Sequence, residues 1–486
     1  MTVPESQSLA TRTIRGVFWT GSAFSLQIVT TFVFFRFLTL EQMGQFGLSL
    51  MVVMFLALLC DLGLGSALVQ DRDAGEEHFN AAFWICLVFG LITTCIIILS
   101  ASAATDLLSP KDPTKFEPVL RGMVLLVPFA AVSGLFRARL QRDLRWRAMA
   151  AAEIASSVLH AITAFGLLAA GYGVMSTVHS AVAREAALLV GLAWMARWLP
   201  SPRIRLDAVR RILTFGLNLT GSRCLNYVNS NLAKGVLYVA LGEAAIAVYD
   251  FAYRLTLMPL VRISTVITRV FFPTFSAIGN DDELLRRTYL RSVQAVALAY
   301  WPALAALFVL AEPVALFADA DMGPAIWPLR LLALATIIKA VGAAVGSVFL
   351  AKGRANWALY WSIFSLIILI PALKWGGTHG VVGVCAVIAL TAVLFLALSQ
   401  HLANRLMAIG FGTYLAVLWR PALVTAATGV TVLAVSPWLP TPPLLACAAG
   451  GSIAAIAWLA AIRLFAWDSV AEMVRSARGT ADDPGP

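Results

Sequence analysis

Charge is what this sequence has least of. Only 13% of its 486 residues are Asp, Glu, Lys or Arg, about half the share of a soluble globular domain. Residues of the AVILMFWYC set supply 60%. A water-soluble fold of this length cannot hide so much apolar surface, and a chain this apolar is not disordered. Acids are scarcer than bases, 26 against 36, for a formal charge of +10. In a membrane chain such an excess records topology, so it does not point to nucleic acid. All six cysteines (Cys60, Cys86, Cys95, Cys224, Cys385 and Cys447) sit inside apolar runs, and none forms a CxxC pair. That removes a zinc site and a disulfide framework. The five histidines show no HExxH-like spacing. No metal and no organic cofactor is read from this chain. An eleven-residue polar start runs straight into a hydrophobic segment with no A-x-A-like stop; an uncleaved anchor is expected.

Long apolar runs are what the sequence has instead. A spanning helix needs about 20 apolar residues to cross about 30 Å of hydrocarbon. Fourteen segments qualify: 16–38, 44–66, 81–104, 119–136, 148–168, 175–198, 212–241, 247–272, 292–317, 327–350, 357–373, 380–402, 413–435 and 444–465. Loop charge tests the count. With the N-terminus inside, the inner segments hold 23 Lys and Arg, from Arg12 and Arg15 through the runs at 137–147 and 197–211 to Arg475 and Arg478. The outer loops hold only Lys111, Lys115 and Lys374. The positive-inside rule therefore places both termini in the cytoplasm. Outer loops are short, with an acidic one near 311–326 as the longest, and none is large enough for a folded domain.

The chain also repeats itself. TGS occurs at 20–22 and at 220–222; Leu38, Gly44 and Phe46 match Leu241, Ala247 and Tyr249 at an offset of 203; Pro118 and Leu140 match Pro328 and Leu350 at an offset of 210. Spans 1–6 and 7–12 then read as two copies of one unit, and an even number of spans inserts both in the same orientation. The expected fold is an all-α polytopic membrane protein. Its divisions are an N-terminal lobe at 1–200, a C-terminal lobe at 201–405, and helices 13–14 with the tail at 406–486. Two such lobes enclose a central cavity that rocking opens alternately to either side.

Ten cations remain in or at the edge of spans, against four acids: Asp61, Glu153, Glu185 and Asp250. A Lys or Arg at mid-span costs about 2.5–3.5 kcal/mol, so it faces water, a counter-charge or a ligand. On span 8, Asp250, Arg254, Arg262 and Arg269 fall within roughly 120° of arc, with Asp250 and Arg254 spaced to pair at i,i+4. On span 7, Arg223, Asn226, Tyr227, Ser230 and Lys234 make a second stripe, Arg223 and Lys234 lying three turns apart. Arg184, beside Glu185, and Lys339 complete the candidates. Arg184 and Glu185, adjacent in sequence, diverge by about 100° on a helix and are not an ideal pair. For Arg223, Arg254, Arg262 and Lys339 the competing reading is a buried interhelical pair or a misplaced span boundary. For Arg36, Arg121, Lys234, Arg269 and Arg330, near span ends, it is snorkelling to the headgroups. Asp61, in DLGLG at 61–65, reads as a helix-end turn rather than an ion site. The run RARLQRDLRWR at 137–147 reads either as an amphipathic cytoplasmic helix on anionic headgroups or as a topology signal alone. Pro128, Pro259 and Pro302 fall inside spans as candidate hinges. Excess cation in a cavity selects an anionic solute, and arginine suits phosphate through its planar donors. The 14 tryptophans fit membrane interfaces by default and sugar stacking as an alternative.

FLTLEQMGQFGLS at 37–49, DLGLGSALVQ at 61–70 and RARLQRDLRWRAMAAAE at 137–153 resemble the corresponding stretches of bacterial polysaccharide flippases. VYDFAYRLTLMPL at 248–260 and FFPTFSAI at 271–278 are similar to their span 7–8 region. These flippases belong to the multidrug/oligosaccharidyl-lipid/polysaccharide exporter superfamily. The resemblance implies a flippase in the bacterial inner membrane that turns oligosaccharide repeat units on undecaprenyl pyrophosphate from the cytoplasmic to the periplasmic leaflet. Arg223, Arg254, Arg262, Arg184 and Lys339, with Asn226 and Lys234 beside them, would receive the pyrophosphate. Membrane lipids, a polysaccharide polymerase and a chain-length regulator are the expected partners, and the coupling ion, H+ or Na+, stays open. Three alternatives remain at this point: a multidrug or organic-cation exporter, a membrane enzyme of polysaccharide assembly, and a peptidoglycan-precursor flippase.

Overall fold

The computed structural model describes residues 26–71, 74–108, 113–202, 206–277, 282–352 and 354–471. Described segments are helices joined by short turns, and no strand occurs among the described residues. Eleven helical stretches there are long and apolar enough to cross a membrane. The described parts of the remaining three expected spans are also helical. They are α1 (Leu26–Phe37), and two long helices that carry more charge, α10 (Leu206–Leu241) and α11 (Glu243–Ala277). The TGS at 20–22 lies outside the described residues.

The chain divides into two compact units, within residues 16–247 and 248–486. The first holds α1, α2 (Leu40–Asp61), α3 (Leu64–Gln70), α4 (Glu76–Leu99), α5 (Ala101–Leu108), α6 (Pro113–Met123), α7 (Leu126–Arg142), α8 (Trp146–Ala169), α9 (Met175–Ala196) and α10. The second takes most of α11, then α12 (Asp282–Val309), α13 (Ala311–Ala318), a 3-10 turn (Ala320–Ala325), α14 (Ile326–Gly342), α15 (Val345–Ala351), α16 (Ala355–Gly377), α17 (Gly380–Met407), α18 (Phe411–Val435) and α19 (Pro443–Ala461). These units are a different division of the chain from the lobes expected at 1–200, 201–405 and 406–486, because α10 packs on α2, α3 and α4.

Local sequence explains several boundaries. The Thr39–Gln42 capping box starts α2: the Gln42 amide donates to Thr39 Oγ1 at 3.3 Å and the Thr39 amide to Gln42 Oε1 at 3.0 Å. Span 4 breaks into α6 and α7 at Val124–Leu125, just where the Pro128 ring would strike the carbonyl four residues back. By contrast α12 continues through Pro302 and α11 through Pro259. The outer segment near 311–326, expected as a loop, folds as α13 and the 3-10 turn, burying Ala311, Ala315, Ala318, Met322 and Ala325.

The repeat is visible in the packing. In the first unit α4 packs on α7, α7 on α9 and α8 on α9; in the second α12 packs on α14, α14 on α17 and α16 on α17, while α18, outside the repeat, packs extensively on α12 and α19. Short helices follow α4 and α12 at equivalent places, α5 from 101 and α13 from 311, at the expected offset of 210. Ion pairs at equivalent helix ends match as well: Arg139 with Glu76 ties α7 to α4, and Lys352 with Asp282 ties the end of α15 to α12. Each unit has its own apolar core. Leu64, Leu68, Phe116, Leu120, Met123 and Leu135 are fully buried in the first, and Leu285, Tyr289, Ala297 and Val348 in the second.

Candidate functional site

Span 2 is interrupted inside DLGLG. Leu62 (φ 47°) and Gly63 (φ 66°) are both left-handed, so α2 ends at Asp61 and α3 restarts at Leu64. A left-handed leucine costs about 1–2 kcal/mol, whereas glycine takes that conformation freely. α10 crosses directly over this break. A Cβ on Gly216 would lie 2.4 Å from the Leu62 carbonyl oxygen, and one on Gly63 would lie 2.6 Å from the Gly216 carbonyl oxygen. The two backbones therefore touch, and only glycine permits it.

Arg223 stands two turns beyond Gly216 on the same face of α10. It consequently points back at the break, where its Nη1 donates to Asp61 Oδ2 in an interhelical ion pair. Asp61 had been read as a helix-end turn. It does end α2, but its carboxylate is also the counter-ion of Arg223. Its other oxygen, Oδ1, is buried with no hydrogen-bond partner, seated where a Cβ on Gly134 would come within 3.2 Å and one on Gly65 within 3.6 Å. One turn further along α10, the Tyr227 hydroxyl donates to the Met51 carbonyl at 2.7 Å, and its ring lies 5.6 Å from that of Phe55. The expected stripe on α10 thus splits. Arg223 and Tyr227 are committed to α2, whereas Asn226 is exposed and Lys234 half-buried.

On α11 the buried Asp250 and half-buried Arg254 approach to 4.0 Å at the expected i,i+4 spacing. Tyr249 and Tyr253 stack beside them with ring centroids 5.9 Å apart. The side chains of Arg262 and Arg269 lie outside the described residues. Arg184 and Glu185, which diverge by 100° on a helix and were not expected to pair well, do pair at 2.6 Å. The arginine is long enough to bend across that angle. Lys339, exposed on α14, has neither a hydrogen bond nor an ion pair among the described residues.

Arg223, Arg254 and Arg184 therefore each have a carboxylate beside them, and the expected surplus of unpaired cation shrinks accordingly. Of the residues expected near span ends, Arg121 pairs with Glu117 at 2.6 Å, Arg330 lies 5.3 Å from the Trp327 ring and 5.8 Å from the Phe308 ring, and Arg36 is exposed. The arginine run at 137–147 is not a separate amphipathic helix. It forms the end of α7 and the start of α8, tied to the protein itself. Arg137 meets Glu153 at 3.3 Å, Arg139 meets Glu76 at 3.0 Å between the Phe79 and Trp198 rings, Arg142 donates to the Ala74 carbonyl, and Arg145 donates to the Met195 carbonyl at 2.7 Å.

No three His, Cys, Asp or Glu side chains converge among the described residues. An apolar recess of about 310 Å³ between α18 and α19, lined by residues such as Ala427, Ile456 and Ala460, contains no charged side chain. What sequence spacing missed is the Asp61–Arg223 pair and the glycine contact that sets it. The two glycines flanking Leu64 were a signal for close backbone approach; nothing in the spacing identified α10 as the partner.

Comparison with known proteins follows this geometry. The family described as "Polysaccharide biosynthesis protein" matches residues 33–318. The chain is 26% identical over 434 residues to the lipopolysaccharide biosynthesis protein WzxC of Escherichia coli, covering 87% of each. It is also 26% identical over 376 residues to the succinoglycan biosynthesis transport protein ExoT of Rhizobium meliloti, covering 76% of each. Among solved structures, the lipid II flippase MurJ in an inward closed conformation superposes with a TM-score of 0.73 at 14% identity, covering 94% of this chain and 100% of that one. At that identity the likeness is one of fold.

Proposed function

The chain belongs to the polysaccharide biosynthesis protein family, within the multidrug/oligosaccharidyl-lipid/polysaccharide exporters, and is a multi-pass membrane transporter rather than an enzyme; from that premise we propose that it flips oligosaccharide repeat units carried on undecaprenyl pyrophosphate. The units pass from the cytoplasmic to the periplasmic leaflet of a bacterial inner membrane, for exopolysaccharide, capsule or O-antigen assembly. Both chain termini lie in the cytoplasm and the lobes alternate in access. The family match over more than half the chain carries this reading.

Recognition of the head is assigned to Arg223, Arg254, Arg262, Arg184 and Lys339, with Asn226 and Lys234 alongside. Phosphate oxygens accept paired hydrogen bonds from a guanidinium better than most groups do. The polyprenyl tail stays in lipid. A polymerase and a chain-length regulator receive the product, and H+ or Na+ supplies the coupling. The organic-cation alternative requires a membrane carboxylate free to bind a cation. Its two main candidates, Asp61 and Asp250, stand beside Arg223 and Arg254, which favours the anionic substrate.

Expression in strains lacking either the polysaccharide flippase or the peptidoglycan-precursor flippase tests the reading. Restored surface polymer in the first strain and no rescue of the second is expected; resistance to cationic dyes with no polymer would overturn it. Arg254→Gln and Arg262→Gln should each cut export about tenfold, the equivalent of one charge-assisted hydrogen bond, while full-length protein stays in the membrane fraction. Normal export by both at native expression would remove the head-group assignment.

A further inference from the structure

Asp61 and Arg223 form a pair that neutralises charge but leaves the carboxylate incompletely satisfied. Only Oδ2 of the carboxylate receives the guanidinium, while Oδ1 is buried without a partner. A pair kept for stability alone would need both oxygens hydrogen-bonded to offset desolvation. The Arg223 side chain is 40% exposed, against 13% for Asp61. An anion can therefore approach the guanidinium without displacing a helix.

The partners also differ in freedom. Asp61 is held at the left-handed end of α2 and seated against Gly65 and Gly134. Arg223 reaches it on a long flexible stem from a different helix. Any exchange of partners must then be made by the arginine. A phosphate offers it two acceptor oxygens in the geometry of its donor fork, where Asp61 engages one.

We propose that Asp61 is a competing counter-ion for Arg223: it holds the guanidinium in the empty carrier, yields it to the pyrophosphate of the lipid-linked substrate, and reclaims it on release. This rests on the reading of Arg223 as a pyrophosphate-binding residue. Its effect is to hold affinity low enough for the head to leave on the far side. Asp61 does not touch substrate and acts through Arg223 alone.

The test is calorimetric binding of farnesyl pyrophosphate to the purified full-length chain in detergent. Asp61→Asn should tighten binding about tenfold, the size of a coupling between neighbouring charges. Arg223→Gln should weaken it, and the Asp61→Asn/Arg223→Gln double variant should bind as Arg223→Gln does. Gly134→Ala keeps every charge but brings a methyl within 3.2 Å of Asp61 Oδ1. It should tighten binding by a smaller factor, and it decides the matter if Asp61→Asn does not fold. Unchanged or weaker binding by Asp61→Asn overturns the proposal, as does tightening that survives without Arg223. A structural ion pair would lose affinity from either side. If the parent chain binds and Asp61→Asn matches it, the counter-ion role fails while the flippase reading stands. If the parent and both single-site variants at 61 and 134 all fail to bind, the exchange is refuted, and the flippase reading is judged separately by rescue of export.

Discussion

Replacing Gly216 with alanine should destabilise the protein, although alanine is the better helix former. The added Cβ would sit 2.4 Å from the Leu62 carbonyl oxygen. That is nearly an ångström inside ordinary contact, and the obstacle is backbone at a left-handed turn, not the end of a flexible side chain. Overpacking of this kind costs about 1–3 kcal/mol. Removing glycine from a helix interior returns up to about 1 kcal/mol. The net expectation is a loss of about 1–2 kcal/mol. Gly221, five residues along the same helix, is the control: a Cβ there meets nothing within 4 Å, so Gly221→Ala should gain up to about 1 kcal/mol. Apparent melting temperatures of detergent-solubilised variants at a fixed scan rate read the difference, and about 2–4 °C per kcal/mol is expected for units of this size. The predicted signs are opposite, Gly216→Ala down and Gly221→Ala up. Shifts of the same sign would refute the claim that α10 touches the break in span 2 backbone to backbone.

Arg139→Ala removes an ion pair to Glu76 and contacts with the Phe79 and Trp198 rings; a loss of about 1–2 kcal/mol is expected, mostly from the aromatic contacts, so Glu76→Gln should lower the same melting temperature less. Tyr289→Phe deletes the buried hydroxyl that donates to Gln400 Oε1 at 2.7 Å, within a chain that continues from Gln400 to Asn404 at 2.8 Å. It should cost about 1–3 kcal/mol by orphaning the acceptor, and a Tyr289→Phe/Gln400→Leu double variant should recover part of that loss.

How far the sequence could be read depended on the range of the interaction. Hydropathy located the apolar helices because insertion into hydrocarbon acts on each segment separately. The i,i+4 approach of Asp250 and Arg254 was legible for a similar reason, since helical geometry alone brings them together. The α2 capping box is equally local. Where contact between distant segments decided, spacing was silent. Asp61 read as a turn, which it forms, but its counter-ion Arg223 could not be seen, and neither could the partners of the arginine run, Glu76, Ala74 and Met195, because they come from other parts of the chain. Arg184 and Glu185 were discounted on backbone angle alone, which neglects the reach of a long side chain.

By itself, the sequence determined an all-helical, membrane-spanning chain and the order of its apolar helices, because burial in hydrocarbon is set by composition. Only the tertiary structure decided which charges neutralise one another. That choice depended on α10 lying against the α2–α3 break, which two glycines without side chains allow, and such a contact between residues more than 150 positions apart has no period for a sequence to display.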